Sequence, residues 1–157
     1  MDYETLSNCF VAVFKHYKTD ETHIFSVCLL QNDYVKFTEF LKENVENNEW
    51  HISYNGLAFD AQVTHNIIKN HDNLILMEGE EIAEEIYDYA QNAINKLANR
   101  EFQDFPEWQM SIKQIDLFKL NHWDNPAKMS SLKWIEYTMD WQNIIDMPIG
   151  HETSITT

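Results

Sequence analysis

Two apolar runs rich in aromatic and β-branched residues, Phe10 to Tyr17 and His23 to Leu30, are separated only by Lys18-Thr19-Asp20-Glu21. A polar connection that short makes the runs fold back on one another, and the pair predicts an antiparallel hairpin. The period then changes. From Asp33 to about Glu46, Phe37, Phe40, Leu41 and Val45 recur three and four positions apart with Lys and Glu between them, which predicts an amphipathic helix. Trp50 to Tyr54 reads as a short strand ending at Asn55-Gly56, and Asp60 opens a second helical pattern carrying Val63, Ile67 and Ile68. Glu80 to Asn99 is the strongest helical pattern, with Ile82, Ile86, Ala90, Ala93 and Leu97 on one face and acids crowded into its first half. Phe102 to Trp108 reads as a loop containing Pro106, Met110 to Leu120 as a strand leading to a turn, and Ser131 to Met139 as a further helix. There is no internal repeat. Strands alternating with helices after an initial hairpin predict one α/β domain over residues 1–157, a mixed sheet flanked by helices.

A chain of 157 residues that is 44% hydrophobic and 13% aromatic can fill one such core. No run of eighteen apolar residues occurs, and the opening Met1-Asp2-Tyr3-Glu4 has neither the basic start nor the apolar stretch of a signal peptide; the expectation is a cytoplasmic protein with no membrane partner. Cys9 and Cys28 each lie in a predicted strand and read as buried thiols in a reducing compartment rather than a disulfide or metal site. The formal charge of −15 argues against a broad phosphate-binding surface, because that affinity comes mainly from Lys and Arg. An acidic site that takes divalent cations inverts the local field, and a module tethered to a larger DNA-binding protein borrows its affinity.

Two clusters of residues could carry chemistry. In an extended Asp2-Tyr3-Glu4, alternation points both carboxylates to one side, where they could share a divalent cation; the alternative is a pair of frayed terminal acids. In Tyr54-Asn55-Gly56-Leu57-Ala58-Phe59-Asp60 a strand ends in a tight turn and an acid sits at a helix start. There Asp60 is either an ordinary helix N-cap with Phe59 as a core staple, or a ligand.

Asp-x-Glu on a first strand, followed by Asn-x-x-x-Phe-Asp at a later strand-to-helix junction, resembles the first two motifs of the DEDD-type, RNase H-like 3′ to 5′ exonucleases, especially the proofreading modules of phage DNA polymerases. Gln114-Ile115-Asp116-Leu117 followed by Ser131-Leu132-Lys133 is similar to the region preceding the third motif. The resemblance implies an RNase H-like mixed sheet and a two-metal-ion hydrolase using Mg²⁺ or Mn²⁺. Asp2 would bridge two ions, Glu4 would ligate the first, and Asp60 would support the second. Asn55 would orient the loop or touch the terminal nucleotide, and Leu6 and Phe59 would pack on its sugar or base; all three are also ordinary structural residues. Asp116 falls near the family's site and equally suits a turn cap. The implied partners are a single-stranded or frayed DNA 3′ end and a polymerase domain or replication protein.

The third motif, an Asp about one turn after a Tyr or His, is missing: Tyr137 and Asp140 have the wrong spacing, and His151 has only six residues after it. Ser154 to Thr157 reads as a linker into a further helix, so the chain is expected to be a fragment of a longer polypeptide or a remnant that has lost catalysis. A catalytically silent scaffold or protein-interaction module is therefore the second hypothesis, and an acidic imitator of DNA the third. The seven His residues, including His65 and His71, lack zinc spacing and read as core or surface residues. Among the five Trp residues only Trp134, near Lys128 and Lys133, has the basic neighbours of a base-stacking platform.

Overall fold

The structure, a computed structural model, describes residues 1–124 and 130–141. Lys128, His151 and Ser154 to Thr157 lie outside the described residues.

The expected hairpin forms from β2 (Cys9–Lys15) and β3 (Thr22–Cys28), and β1 (Asp2–Leu6) joins it through the two-residue turn Ser7-Asn8. The result is an antiparallel sheet in the order β1-β2-β3. After α1 (Tyr34–Glu46), β4 (Trp50–Ser53) pairs in parallel with the distant β5 (Lys113–Asp116), setting His51 opposite Gln114 and Ser53 opposite Asp116. The Met1 ammonium donates to the Ile52 carbonyl at 2.7 Å, which sets the start of β1 beside β4. Between β4 and β5 run α2 (Asp60–Lys69), the short α3 (His71–Leu74) and α4 (Gly79–Ala98); α5 (Leu117–Asn121) and α6 (Leu132–Thr138) follow. The molecule is thus a mixed α/β fold, with a small antiparallel sheet and a parallel pair flanked by helices.

Strand alternation puts Tyr3, Phe10, Ala12, Phe14, Phe25 and Val27 on one face, and these join Phe37 and Leu41 of α1, Val63 and Ile67 of α2, and Ile82, Ile86 and Ala90 of α4 in one core. Phe37 is its hub. It is fully buried, with ring centroids 5.4 Å from Phe25, 5.5 Å from Phe10 and 6.0 Å from Tyr3; truncating a side chain so placed costs about 3–5 kcal/mol. Helix α4 starts with a capping box, Glu81 answering the Glu78 amide at 3.0 Å, which suits its acidic first turn.

Within Met110 to Leu120, read as a strand leading to a turn, the strand is Lys113–Asp116, and the Asp116 carboxylate, accepting from the Phe118 amide at 2.9 Å, starts α5 where the turn was expected.

Candidate active site

Along β1, Asp2 is exposed, Tyr3 buried and Glu4 half-buried, so the two acids share the face opposite the core. The N–H and C=O groups of Asp2 and Glu4 face β2, where they oppose Val13 and Val11, leaving the Tyr3 amide pointing to the other edge. Asp60 meets it there: its Oδ1 accepts from the Tyr3 amide at 3.1 Å, 57 residues away in sequence. The N-cap of α2 is Phe59 and makes no side-chain cap, so the N-cap reading of Asp60 gives way to a carboxylate docked on the first strand. The Tyr3 hydroxyl donates to Thr64 Oγ1 at 2.8 Å, and Thr64 in turn donates to the Asp60 carbonyl at 2.8 Å. This chain of bonds fixes the first turn of α2 against β1.

Asp60 is 6% exposed. Burial, and then the negative charge of Asp2, push its pKa up to about 7, against the smaller opposing pull of the Tyr3 amide and the Met1 ammonium. Asp2 and Asp60 are therefore within electrostatic reach of each other. Glu4 shares Asp2's strand face but is not among the charges acting on Asp60. No group of three or more His, Cys, Asp or Glu side chains is arranged to hold a metal ion among the described residues. The observed convergence is a pair.

The turn between β4 and α2 is shaped around this carboxylate. Asn55 adopts φ 59°, a left-handed conformation that Asn tolerates better than most residues. A Cβ on Gly56 would stand 1.9 Å from Ser53 Oγ and 3.3 Å from Asp60 Oδ2, so only glycine lets the turn close over the site. Asp116 clasps the same turn from β5, accepting from the amides of Asn55 at 2.8 Å and Leu57 at 3.2 Å as well as from Phe118. Its role is positional: it holds the loop that presents Asp60. Sequence reasoning left that role open, and the Ser53–Gly56 contact carried no sequence signal.

The remaining candidates divide. Leu6 lies opposite Cys9 at the far end of β1 and is 5% exposed. Phe59 is half-buried against the core, and Asn55 lies at the rim of a cleft of about 590 Å³ lined by Leu57, Phe105, Met110, Phe118 and Trp123. His65 is a core residue, its Nδ1–H donating to the Ala61 carbonyl at 2.7 Å and its Nε2 accepting from the Ser111 amide at 2.8 Å; burial lowers its pKa. His71 stacks on Tyr34. Trp134 and Tyr137 are exposed on α6, and Asp140 is exposed just after it. No helix of the described residues is long and apolar enough to cross a membrane.

No protein-family model, curated protein or solved structure matches the chain.

Proposed function

We propose that this chain is a metal-dependent 3′ to 5′ exonuclease module of the RNase H-like type, acting on single-stranded or frayed DNA ends. The observation that carries the reading is the docking of the Asp60 carboxylate on the amide between Asp2 and Glu4, which joins the two motifs that the sequence resemblance singled out. Three carboxylates are the hard oxygen donors that Mg²⁺ and Mn²⁺ prefer. Asp2, Glu4 and Asp60 would hold the ions, with Glu4 turning toward the Asp2–Asp60 pair from the shared face of β1. Bound divalent ions supply an activated water and neutralise charge on the scissile phosphate and the leaving 3′ oxygen.

The residues themselves do the rest. Asp60, with its pKa near 7, carries a proton for much of the time at neutral pH and gives it up when a cation arrives. Asp116 and Gly56 hold the turn that aims it. The cleft beside Asn55 offers Phe118 and the exposed Trp123 as faces on which an unpaired base can stack. Tethering to a polymerase domain or replication protein would supply the DNA affinity that a charge of −15 denies the isolated chain.

The test is a 5′-labelled single-stranded oligonucleotide incubated with the chain and Mg²⁺ or Mn²⁺. Stepwise shortening from the 3′ end is expected, with a loss of at least about 100-fold in Asp60→Ala and Asp2→Ala; unchanged hydrolysis in Asp60→Ala discards the assignment. The net charge favours a second reading, an exonuclease-like scaffold that binds a basic protein. Calorimetry detecting no Mn²⁺ binding, together with a stable complex with such a partner, selects it.

A further inference from the structure

We propose that Cys9 and Cys28 form a reversible cross-strand disulfide that links β2 to β3. The two residues are direct partners in the antiparallel register, close enough for Cys28 to act on the Cys9 thiol. The type of pair matters. The Cys28 amide donates away from β2, to the Gln31 carbonyl at 2.7 Å, and the flanking Ser26 carbonyl likewise accepts from the Asp33 amide at 2.9 Å. Cys9 and Cys28 therefore occupy a site without mutual backbone hydrogen bonds, the closer of the two antiparallel spacings, where facing side chains stand nearest. Both thiols are free, and closure joins them within the existing register, without a change of strand pairing.

The two sulfurs differ in access. Cys9 is buried, and burial, then the neighbouring Cys28, push its pKa up to about 11; Cys28 is partly exposed. This orders the chemistry, with a small disulfide such as oxidised glutathione as the oxidant. The Cys28 thiolate attacks one glutathione sulfur; that S–S bond breaks, one glutathione thiolate leaves and takes up a proton, and a mixed disulfide remains on Cys28. The Cys9 thiolate then attacks the Cys28 sulfur, the mixed bond breaks, and the second glutathione leaves and is protonated. Two protein thiols lose two protons and two electrons, and one oxidised glutathione becomes two reduced ones. The high Cys9 pKa makes the second step the slow one, so the adduct on Cys28 precedes closure.

The test uses the full chain under native conditions with oxidised glutathione, followed by alkylation and intact-mass measurement. Expected are the loss of both alkylatable thiols, a monomer two hydrogens lighter than the reduced protein, and full reversal by dithiothreitol. Cys9→Ser should stop at one glutathione adduct, and Cys28→Ser should keep its buried thiol unmodified while folded. A wild-type chain that stops at the single adduct, forms covalent dimers instead, or retains both thiols while an exposed-thiol control protein is consumed, overturns the proposal.

Discussion

The Asp60 carboxylate sits 3.1 Å from the Tyr3 amide, 57 residues away in sequence, and joins the start of α2 to the edge of β1 at the one place where Asp2 can act on it. Burying the carboxylate beside Asp2 has a cost for folding. Burial and the Asp2 charge raise the Asp60 pKa from 3.8 to about 7, so between those values the native state holds a proton that the unfolded chain has already released. Stability from this group falls as pH rises through that window and is flat above it. Asp60→Asn keeps an acceptor for the Tyr3 amide and removes the charge. It should stabilise the metal-free protein by roughly 4 kcal/mol at pH 8, change little at pH 4, and abolish hydrolysis. Urea unfolding at the two pH values measures it, and equal effects at both would show that Asp60 is not strained by its charge.

Cation binding should relieve the same strain. Below pH 6 each Mn²⁺ bound should displace about one proton from Asp60, and above pH 8 almost none, so affinity rises with pH and levels off past about 7. Calorimetry in buffers of different ionisation enthalpy counts the protons. Asp2→Asn removes the second cause of the raised pKa, so proton release at pH 6 should shrink while affinity drops about tenfold or more. Unchanged proton release would place the titrating group elsewhere.

The turn that carries Asp60 should depend on Asp116. Asp116→Ala orphans the amides of Asn55, Leu57 and Phe118 together. A loss of about 3 kcal/mol is expected, with a fall in Mn²⁺ affinity that Asp116→Asn, able to satisfy part of the set, restores in part. Amide exchange should quicken at residues 55–58 first. Exchange quickening only around α5 would mean that the clasp serves the helix alone.

Much of the scaffold was legible in the sequence because its signals are local. The β-branched runs on either side of Lys18 to Glu21 could only pair, and the three- and four-residue spacing of Phe37, Phe40 and Leu41 marked α1. What was not legible depends on partners far along the chain. Whether Asp60 capped its own helix or reached β1 turned on the direction of the Tyr3 amide, which follows from β1 pairing with β2. The sequence did not say where β5 ends, because the Asp116 side chain, rather than the apolar pattern, stops it.

Close packing around Gly56 offers a test of the turn itself. In Gly56→Ala the new methyl would collide with Ser53 Oγ and Cβ, at 1.9 and 2.6 Å, and crowd Asp60 Oδ2. Ser53 is buried, with no partner for its hydroxyl among the described residues, and its burial leaves it little room to retreat. The single substitution should cost about 1–3 kcal/mol and weaken Mn²⁺ binding. Adding Ser53→Gly removes the colliding atoms and should recover most of both losses, a coupling that a double-mutant cycle reads directly.

A buried histidine should mask part of the Asp60 effect. His51 is 5% exposed, and burial, then the Met1 ammonium and His65, lower its pKa from 6.5 to about 4. The unfolded chain therefore binds a proton that the native state refuses between pH 4 and 6.5, and this group's stability rises with pH across that range. Asp60 slopes the other way over nearly the same interval, so the two offset each other in the wild type. Asp60→Asn should expose a stability that climbs from pH 4.5 to 6.5. His51→Phe, which keeps an aromatic ring against Phe14, 5.1 Å away between centroids, should expose one that falls. Parallel pH profiles for the two variants would refute the opposed protonation of these two buried groups.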